Sequence, residues 1–344
     1  SLPRPPPAVE DAGGVPQQVH VTQGKHPGTL IVSWATDTPS VSEVQYGLSP
    51  GAYRWRAAGK AARYTRGAYT SPYLHHVKLK GLNASTTYYY AAGDASAATG
   101  GALRELSVTT LPAVGGRQSL AFTVIGDLGQ TEFSLDTAMH VLADPKQQAT
   151  IIAGDLSYAD GNQTRWDRWG ALFEPLLSSR AFQPAVGNHE IEVRDKDRGS
   201  LRQLQLGREA GGWDYTPFLA YQARFVHSGP DELEGRGTFG GMSSSLYYSY
   251  SAGPAHFIHL ASYAPFGDGS EQKAWLKADL ASIDRKETPW TFAVVHAPWY
   301  NSNKAHQGEV EEGMMRESME EMLCEGGVDA VFAGHVHAYE RIGP

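Results

Sequence analysis

Leu120-Ala121-Phe122-Thr123-Val124-Ile125-Gly126-Asp127-Leu128-Gly129 is the stretch on which the reading of this chain turns. A short, nearly continuous apolar run rich in β-branched residues is the pattern of a strand buried on both faces. Here it stops abruptly at Gly-Asp. The same device recurs along the chain. Ala149-Thr150-Ile151-Ile152-Ala153 runs into Gly154-Asp155-Leu156-Ser157-Tyr158, and Phe182-Gln183-Pro184-Ala185-Val186 runs into Gly187-Asn188-His189-Glu190. Ala293-Val294-Val295 runs into His296, and Gly334-His335-Val336-His337 closes the series. Between the runs, Leu135 to Leu142 reads as a helix, and Arg165 to Leu177 carries Trp166, Trp169, Leu172, Phe173 and Leu176 at helical spacing. Buried strands alternating with helices predict a layered α/β domain. Open α/β sheets gather their sites at the carboxyl ends of strands, so the five motifs are predicted to converge in one crevice.

Upstream of this region the pattern changes. Residues 1–14 are Pro-rich and predict an extended arm. From 15 to 110 short strands follow one another without helices: Gln18–Thr22, Thr29–Trp34, Ser42–Gly47, His76–Leu79, Thr87–Ala91 and Leu103–Val108. That spacing predicts a β-sandwich. Gly81-Leu82-Asn83-Ala84-Ser85-Thr86-Thr87-Tyr88 resembles the tyrosine corner of fibronectin type III domains, with Trp34 as the matching core residue. Residues 111–117, Leu-Pro-Ala-Val-Gly-Gly-Arg, form a linker, and 118–344 form the second domain.

Composition narrows the function. The 344 residues hold 41% hydrophobic and 19% charged side chains, an ordinary globular balance, and the 29 basic against 37 acidic groups give a net charge of −8. Without a basic stripe, no nucleic-acid duplex is expected as partner. No apolar run approaches the ~20 residues of a membrane span. Cys324 is the only cysteine, which rules out a disulfide scaffold and a thiolate cluster; its helical surroundings, Met314 to Cys324, predict a buried or half-buried thiol. Asn83-Ala84-Ser85 and Asn162-Gln163-Thr164 are glycosylation sequons and point to a secretory route.

The motif residues supply two Asp, one Tyr, one Asn and three His. Asp127, Asp155 and Tyr158 are hard anionic oxygen donors and, with a neutral His337, suit a trivalent ion such as Fe(III). Asn188, His296 and His335 are neutral donors and, with one shared carboxylate, suit a divalent ion: Zn, Mn or Fe(II). Asp155 is the natural bridge between ions ~3.5–4 Å apart, the arrangement of two-metal displacement at phosphorus. His335 and His337 would lie on one face of a regular strand, each reaching a different ion. Asp160 and Glu190 are candidates for orienting the ligands.

These motifs, with Tyr339-Glu340-Arg341 completing the last, resemble those of plant-type purple acid phosphatases within the calcineurin-like metallophosphoesterases, over nearly the whole chain. The distinguishing detail is Gly129, where most metallophosphoesterases have a histidine, with Tyr158 supplying the missing ligand. The resemblance implies a fibronectin type III-like β-sandwich followed by a four-layer α/β catalytic sandwich, and further strands beyond Pro344. It implies Fe(III) held by Asp127, Asp155, Tyr158 and His337, and a divalent ion held by Asp155, Asn188, His296 and His335. His189 and His306 would contact phosphate or protonate the leaving group; Ala305 stands where some members have a second histidine. The implied activity is acid hydrolysis of phosphate monoesters by attack of a metal-bound hydroxide on phosphorus, in a secreted or vacuolar homodimeric glycoprotein bearing glycans on Asn83 and Asn162. The alternatives are a phytase or nucleotide phosphodiesterase on the same metal core, and a non-enzymatic extracellular binding module.

Overall fold

The computed structural model describes residues 14–94, 103–192, 216–227 and 245–343, with short strands at 238–239 and 242–243. In the N-terminal part, β1 (Gln17–Gln23), β2 (Leu30–Thr36), β3 (Glu43–Gly47), β4 (Trp55–Ala58), β5 (Lys60–Ala62), β6 (Thr65–Arg66), β7 (Tyr69–Thr70), β8 (Tyr73–Leu79), β9 (Thr87–Ala92) and β10 (Leu106–Thr109) form two four-stranded antiparallel sheets. Their orders are β1-β2-β8-β5 and β10-β9-β3-β4, and β6 and β7 make a separate two-stranded arm. Alternate residues of both sheets, among them Val19, Val21, Val32, Val44, Val77, Tyr90 and Val108, fill the space between them. Trp34 is buried there and stacks on His75. The Tyr88 hydroxyl accepts the backbone N–H of Asn83 at 3.0 Å, the closure of a tyrosine corner. Trp55 and Trp290, in contrast, are exposed.

The second part contains β11 (Phe122–Ile125), α1 (Glu132–Ala143), β12 (Ala149–Ile152), α2 (Thr164–Leu177), β13 (Ala181–Pro184), α3 (Asn188–Ile191), α4 (Leu219–Arg224), β14 (Thr238–Phe239), β15 (Met242–Ser243), β16 (Tyr248–Ala252), β17 (Ala255–His259), α5 (Glu271–Ala281), β18 (Trp290–Val294), α6 (Val310–Glu325) and β19 (Ala330–Phe332). Strands β11-β12-β13 form a parallel sheet, and β16-β17-β18-β19 a sheet in which only the β16–β17 pair is antiparallel. Alternation along the strands assigns the layers. Ala149 and Ile151 of β12, Phe257 of β17 and Val294 of β18 face each other in a core between the sheets. Their neighbours point outward: Ile152 meets Trp169 and Phe173 of α2, whereas Ile258 and Ala293 meet Leu276 of α5 and Met315, Met319 and Leu323 of α6. The result is a helix–sheet–sheet–helix stack.

The stripe Met315, Met319, Leu323 on α6 leaves Cys324 one residue beyond the buried face, and the thiol is exposed rather than buried or half-buried. The two parts share apolar packing. Ala35, Tyr64 and Leu74 of the sandwich belong to the same cluster as Trp166, Trp169 and Phe225. Hydrogen bonds cross beside it, including Thr22 Oγ1 to Val226 O at 2.8 Å and Tyr90 Oη to Ser178 O at 2.7 Å. No helix among the described residues is long and apolar enough to cross a membrane.

Candidate metal centre

All five motifs follow the carboxyl ends of parallel-paired strands. Asp127 lies just past β11, Asp155 past β12, Asn188 past β13, His296 past β18 and His335 past β19. Five of the seven predicted ligands do not stand in extended backbone. The chain turns sharply instead: Asp127, Asp155, Tyr158, His335 and His337 all have φ between 49° and 74°, the left-handed region. Such non-Gly conformations cost of order 1 kcal/mol each and cluster at functional sites. This departs from the sequence reading of His335 and His337 as same-face strand residues. β19 ends at Phe332, and it is two left-handed turns that aim both rings at one centre. Gly154 shows how tight the assembly is. At φ +88°, a Cβ on it would meet the His296 ring nitrogen Nδ1 at 2.3 Å.

The predicted donors fall into two adjoining groups. In the first, the Tyr158 hydroxyl is 2.9 Å from His337 Nε2 and 3.4 Å from Asp127 Oδ1, and His337 Nε2 is 3.2 Å from Asp127 Oδ1. The Tyr158 ring lies against Gly129, where a Cβ would be 3.4 Å from Cδ2. Even a Cβ at position 129 would stand in van der Waals contact with this ring. In the second group, His296 Nε2 sits 3.1 Å from each of Asp155 Oδ2, Asn188 Oδ1 and His335 Nδ1. Asp127 ties the groups together, because its Oδ2 accepts the backbone N–H of His335 at 2.8 Å.

Does this donor set fit metal ions? The His296 Nδ1–H donates to Ala153 O at 2.7 Å, which fixes the tautomer and leaves the Nε2 lone pair facing the centre. His335 does the converse: Nε2–H donates to Glu309 Oε2 at 3.1 Å and Nδ1 faces inward. An imidazole lone pair, a carboxylate oxygen, an amide oxygen and a second imidazole lone pair then point at one another with no hydrogen among them. Only a cation or an added proton resolves that. The protonation equilibria carry the same signal. Burial lowers the His296 pKa, but Asp155 and Asp127 outweigh it and raise it to about 9. Burial, then Asp155 and Asp127, hold the Tyr158 phenol far above its usual range; a trivalent cation beside it would reverse that direction. Burial and Asp155 push the Glu190 carboxyl up to about 8. The uncompensated charge is negative and lies where the ligands converge, so the residues fit a pair of cations.

Glu190 and Asp160 hold the motifs rather than the ligand tips, whereas Glu309 holds the His335 ring. Glu190 is fully buried; its Oε2 accepts the N–H groups of Asp155 and Gly187, each at 2.8 Å, and its Oε1 that of Leu156 at 2.9 Å. It thereby joins the second motif to the third. Asp160 binds Nδ1 of His189, whose Nε2 is 3.8 Å from Asp155 Oδ2 and whose ring packs on Tyr158. Burial lowers the His189 pKa, but the Asp160 contact and Asp155 outweigh it and the net direction is up. His306 is exposed; its ring centroid is 3.8 Å from that of His335, and Nδ1 is 2.9 Å from Glu309 Oε1. Glu309 was not singled out from sequence, although it stands three residues after His306 and could have been. Arg66 and Glu192, which brace the third motif, carry no local signal at all.

Comparison with known proteins agrees with this architecture. Residues 120–339 match the model of the calcineurin-like phosphoesterases, so the chain is a member of that class of metal-dependent phosphoester hydrolases. Residues 16–110 match the model described as "Purple acid Phosphatase, N-terminal domain". The chain is 39% identical over 326 residues to purple acid phosphatase 22 of Arabidopsis thaliana, covering 95% of this chain and 67% of that one. It is 43% identical over 332 residues to the phosphoenolpyruvate phosphatase of Allium cepa, covering 95% and 63%. The chain belongs to the purple acid phosphatase family, and it spans roughly two thirds of the length of these relatives. A purple acid phosphatase isolated from yellow lupin (Lupinus luteus) seeds shares the fold, with a TM-score of 0.77 and 22% identity over 94% of this chain and 59% of that one. The family carries a binuclear metal centre.

Proposed function

We propose that this protein hydrolyses phosphate monoesters at a two-metal site that holds one trivalent and one divalent ion. The observation that carries the reading is the pair of adjoining donor groups just described, one around Tyr158, Asp127 and His337, the other around His296, Asn188, His335 and Asp155, linked by the bond from His335 N–H to Asp127. Asp127, Asp155, Tyr158 and His337 would hold Fe(III); Asp155, Asn188, His296 and His335 would hold Zn, Mn or Fe(II). When bound, the ions would supply the positive charge that neutralises phosphoryl oxygens and acidifies water.

The chain's own residues supply the rest. His189 and His306 share one arrangement: each has Nδ1 tied to a carboxylate, Asp160 or Glu309, which leaves Nε2–H of the imidazolium to donate. One would donate to a phosphoryl oxygen and the other to the departing alkoxide, so that the product leaves as an alcohol. Ala305 leaves His306 as the single histidine on its loop. The monoester preference is supported by the name of the onion relative. Turnover of p-nitrophenyl phosphate, phytate and a diester by metal-loaded protein tests it. Diester turnover exceeding monoester turnover would overturn the reading, and phytate preference would narrow it to a phytase.

The proposal extends to setting. Asn83 and Asn162 are exposed and would carry glycans, as expected of a secreted or vacuolar homodimer. Mass loss on enzymatic deglycosylation and sedimentation of the native protein test these points. The unit limits we propose are 15–110 and 118–344, flanking the 111–117 linker and following the 1–14 arm.

A further inference from the structure

Asn188 and His189 stand on α3, a helix of only four residues. A single turn is not stable by itself, because nucleation fixes several dihedrals for one hydrogen bond. Something outside must hold it. Glu190 secures its beginning, through Gly187 N and the second motif. Its end is secured from the other domain. Glu192, the residue that closes α3, is left-handed at φ 56°, and its side chain is 1% exposed. The Arg66 guanidinium, from the β6–β7 arm of the N-terminal sandwich, reaches across and contacts Glu192 twice. Nη1 donates to carboxylate Oε2, and Nη2 donates to the backbone carbonyl at 2.7 Å. The remaining acceptor positions of the carboxylate take Gln163 Nε2 at 2.9 and 2.8 Å and Trp166 Nε1 at 2.9 Å. Gln163 is itself held from the arm, since the Tyr64 hydroxyl donates to its Oε1 at 2.8 Å.

We propose that Arg66 is a positioning residue for the third motif: the N-terminal domain, through the Arg66–Glu192 clasp, sets the orientation of Asn188 and His189. This rests on the reading of Asn188 as a ligand of the divalent ion. The geometry is specific to arginine. Its planar fork satisfies the carboxylate and the helix-terminal carbonyl together. A lysine ammonium can meet one of them well but not both in the same orientation. The β6–β7 arm also makes a cross-domain contact that does not touch α3, from Tyr69 Oη to Asp167 Oδ2 at 2.7 Å. It separates positioning from general docking.

The test is a titration of the full chain with Zn2+ against a chromophoric chelator, with circular dichroism of each variant. Arg66→Ala is expected to weaken Zn2+ binding by about tenfold or more, the usual scale for an outer-shell partner. Arg66→Lys is expected to lie between it and wild type, and Tyr69→Phe to bind as wild type does. If Arg66→Ala does not fold, Arg66→Lys against Tyr69→Phe decides the matter. Arg66 variants that bind Zn2+ as wild type does, or a Tyr69→Phe loss as large as theirs, overturn the clasp. A wild-type protein that binds no Zn2+ overturns the metal reading itself, and this inference with it.

Discussion

Gly154→Ala should cost this protein its divalent-ion site, and the size of the effect can be worked out from the contacts around it. Gly154 has φ +88°, so an added side chain first meets the left-handed penalty of ~1–2 kcal/mol. Its Cβ would stand 2.3 Å from Nδ1, 2.7 Å from Cγ and 2.9 Å from Cβ of His296. Ordinary contact requires the ring to retreat by about 1 Å. His296 is fully buried, and overpacking of this kind costs about 1–3 kcal/mol. Retreat also breaks the 2.7 Å bond from Nδ1 to Ala153 O, a further ~1 kcal/mol. Together the loss is about 3–6 kcal/mol, or a fall in Tm of roughly 6–24 °C for a unit of this size. Metal ligands tolerate displacements of only about 0.2 Å, so the divalent ion should be lost even where the fold survives. The control is Gly161→Ala. Gly161 has φ +91° but nothing within 4 Å, so it bears the backbone penalty alone, without loss of metal. Calorimetry and elemental analysis read both. A Gly154→Ala protein with wild-type Tm and full divalent content would refute the argument, as would equal metal loss in Gly161→Ala.

Other outcomes follow from the same geometry. Asp155→Ala removes the carboxylate proposed to bridge the two ions and should empty or loosen both sites; unchanged metal content and turnover would remove the bridge assignment. Tyr158→Phe should abolish visible absorption of the iron-loaded protein, since the charge-transfer donor is gone; an unchanged spectrum would exclude tyrosinate. His259 gives a pH prediction away from the centre. It is fully buried, stacks on Tyr248 and has both ring nitrogens unpartnered among the described residues, and burial pushes its pKa from 6.5 down to about 3. The unfolded chain therefore binds the extra proton, and stability drains away as pH falls from 6.5 towards 3, by about 2 kcal/mol at pH 5. His259→Phe should flatten this part of the stability profile in denaturant titrations. A profile as steep as that of wild type would show that His259 does not titrate this way.

The sequence was most legible where chemistry coincided with strand ends. Asp127, Asp155, Asn188 and His296 each follow a mostly apolar run, because strands buried on both faces read as near-continuous apolar segments and a metal-binding side chain stands out where the run ends. Tyr158 was legible through its partner: Gly129 lacks a side chain, and the tyrosine ring fills the space beside it. The layers could be inferred from the alternation of strands and helices, but not which strands pair, since that depends on contacts far apart in sequence. His335 and His337 were assigned the right neighbourhood by the wrong geometry, because left-handed turns leave no trace in a hydrophobicity pattern. Cys324 was misread for a related reason: a helix's buried stripe is defined by what it packs against, and Met315, Met319 and Leu323 took that role. Arg66 and Glu192 were beyond reach. They are 126 residues apart, in different domains, and neither belongs to a periodic or motif-like pattern.

The apolar cluster that takes in Ala35, Tyr64 and Leu74 together with Trp166, Trp169 and Phe225 has a consequence for how such a protein can be taken apart. A modular enzyme can be cut at its linker and its pieces exchanged. Here a cut at 111–117 would strip the tryptophan face of α2 of its cover and leave Glu192 without its cation. The β-sandwich is thus less an appended domain than a wall of the catalytic one, and a graft onto another sandwich would have to reproduce that wall residue by residue.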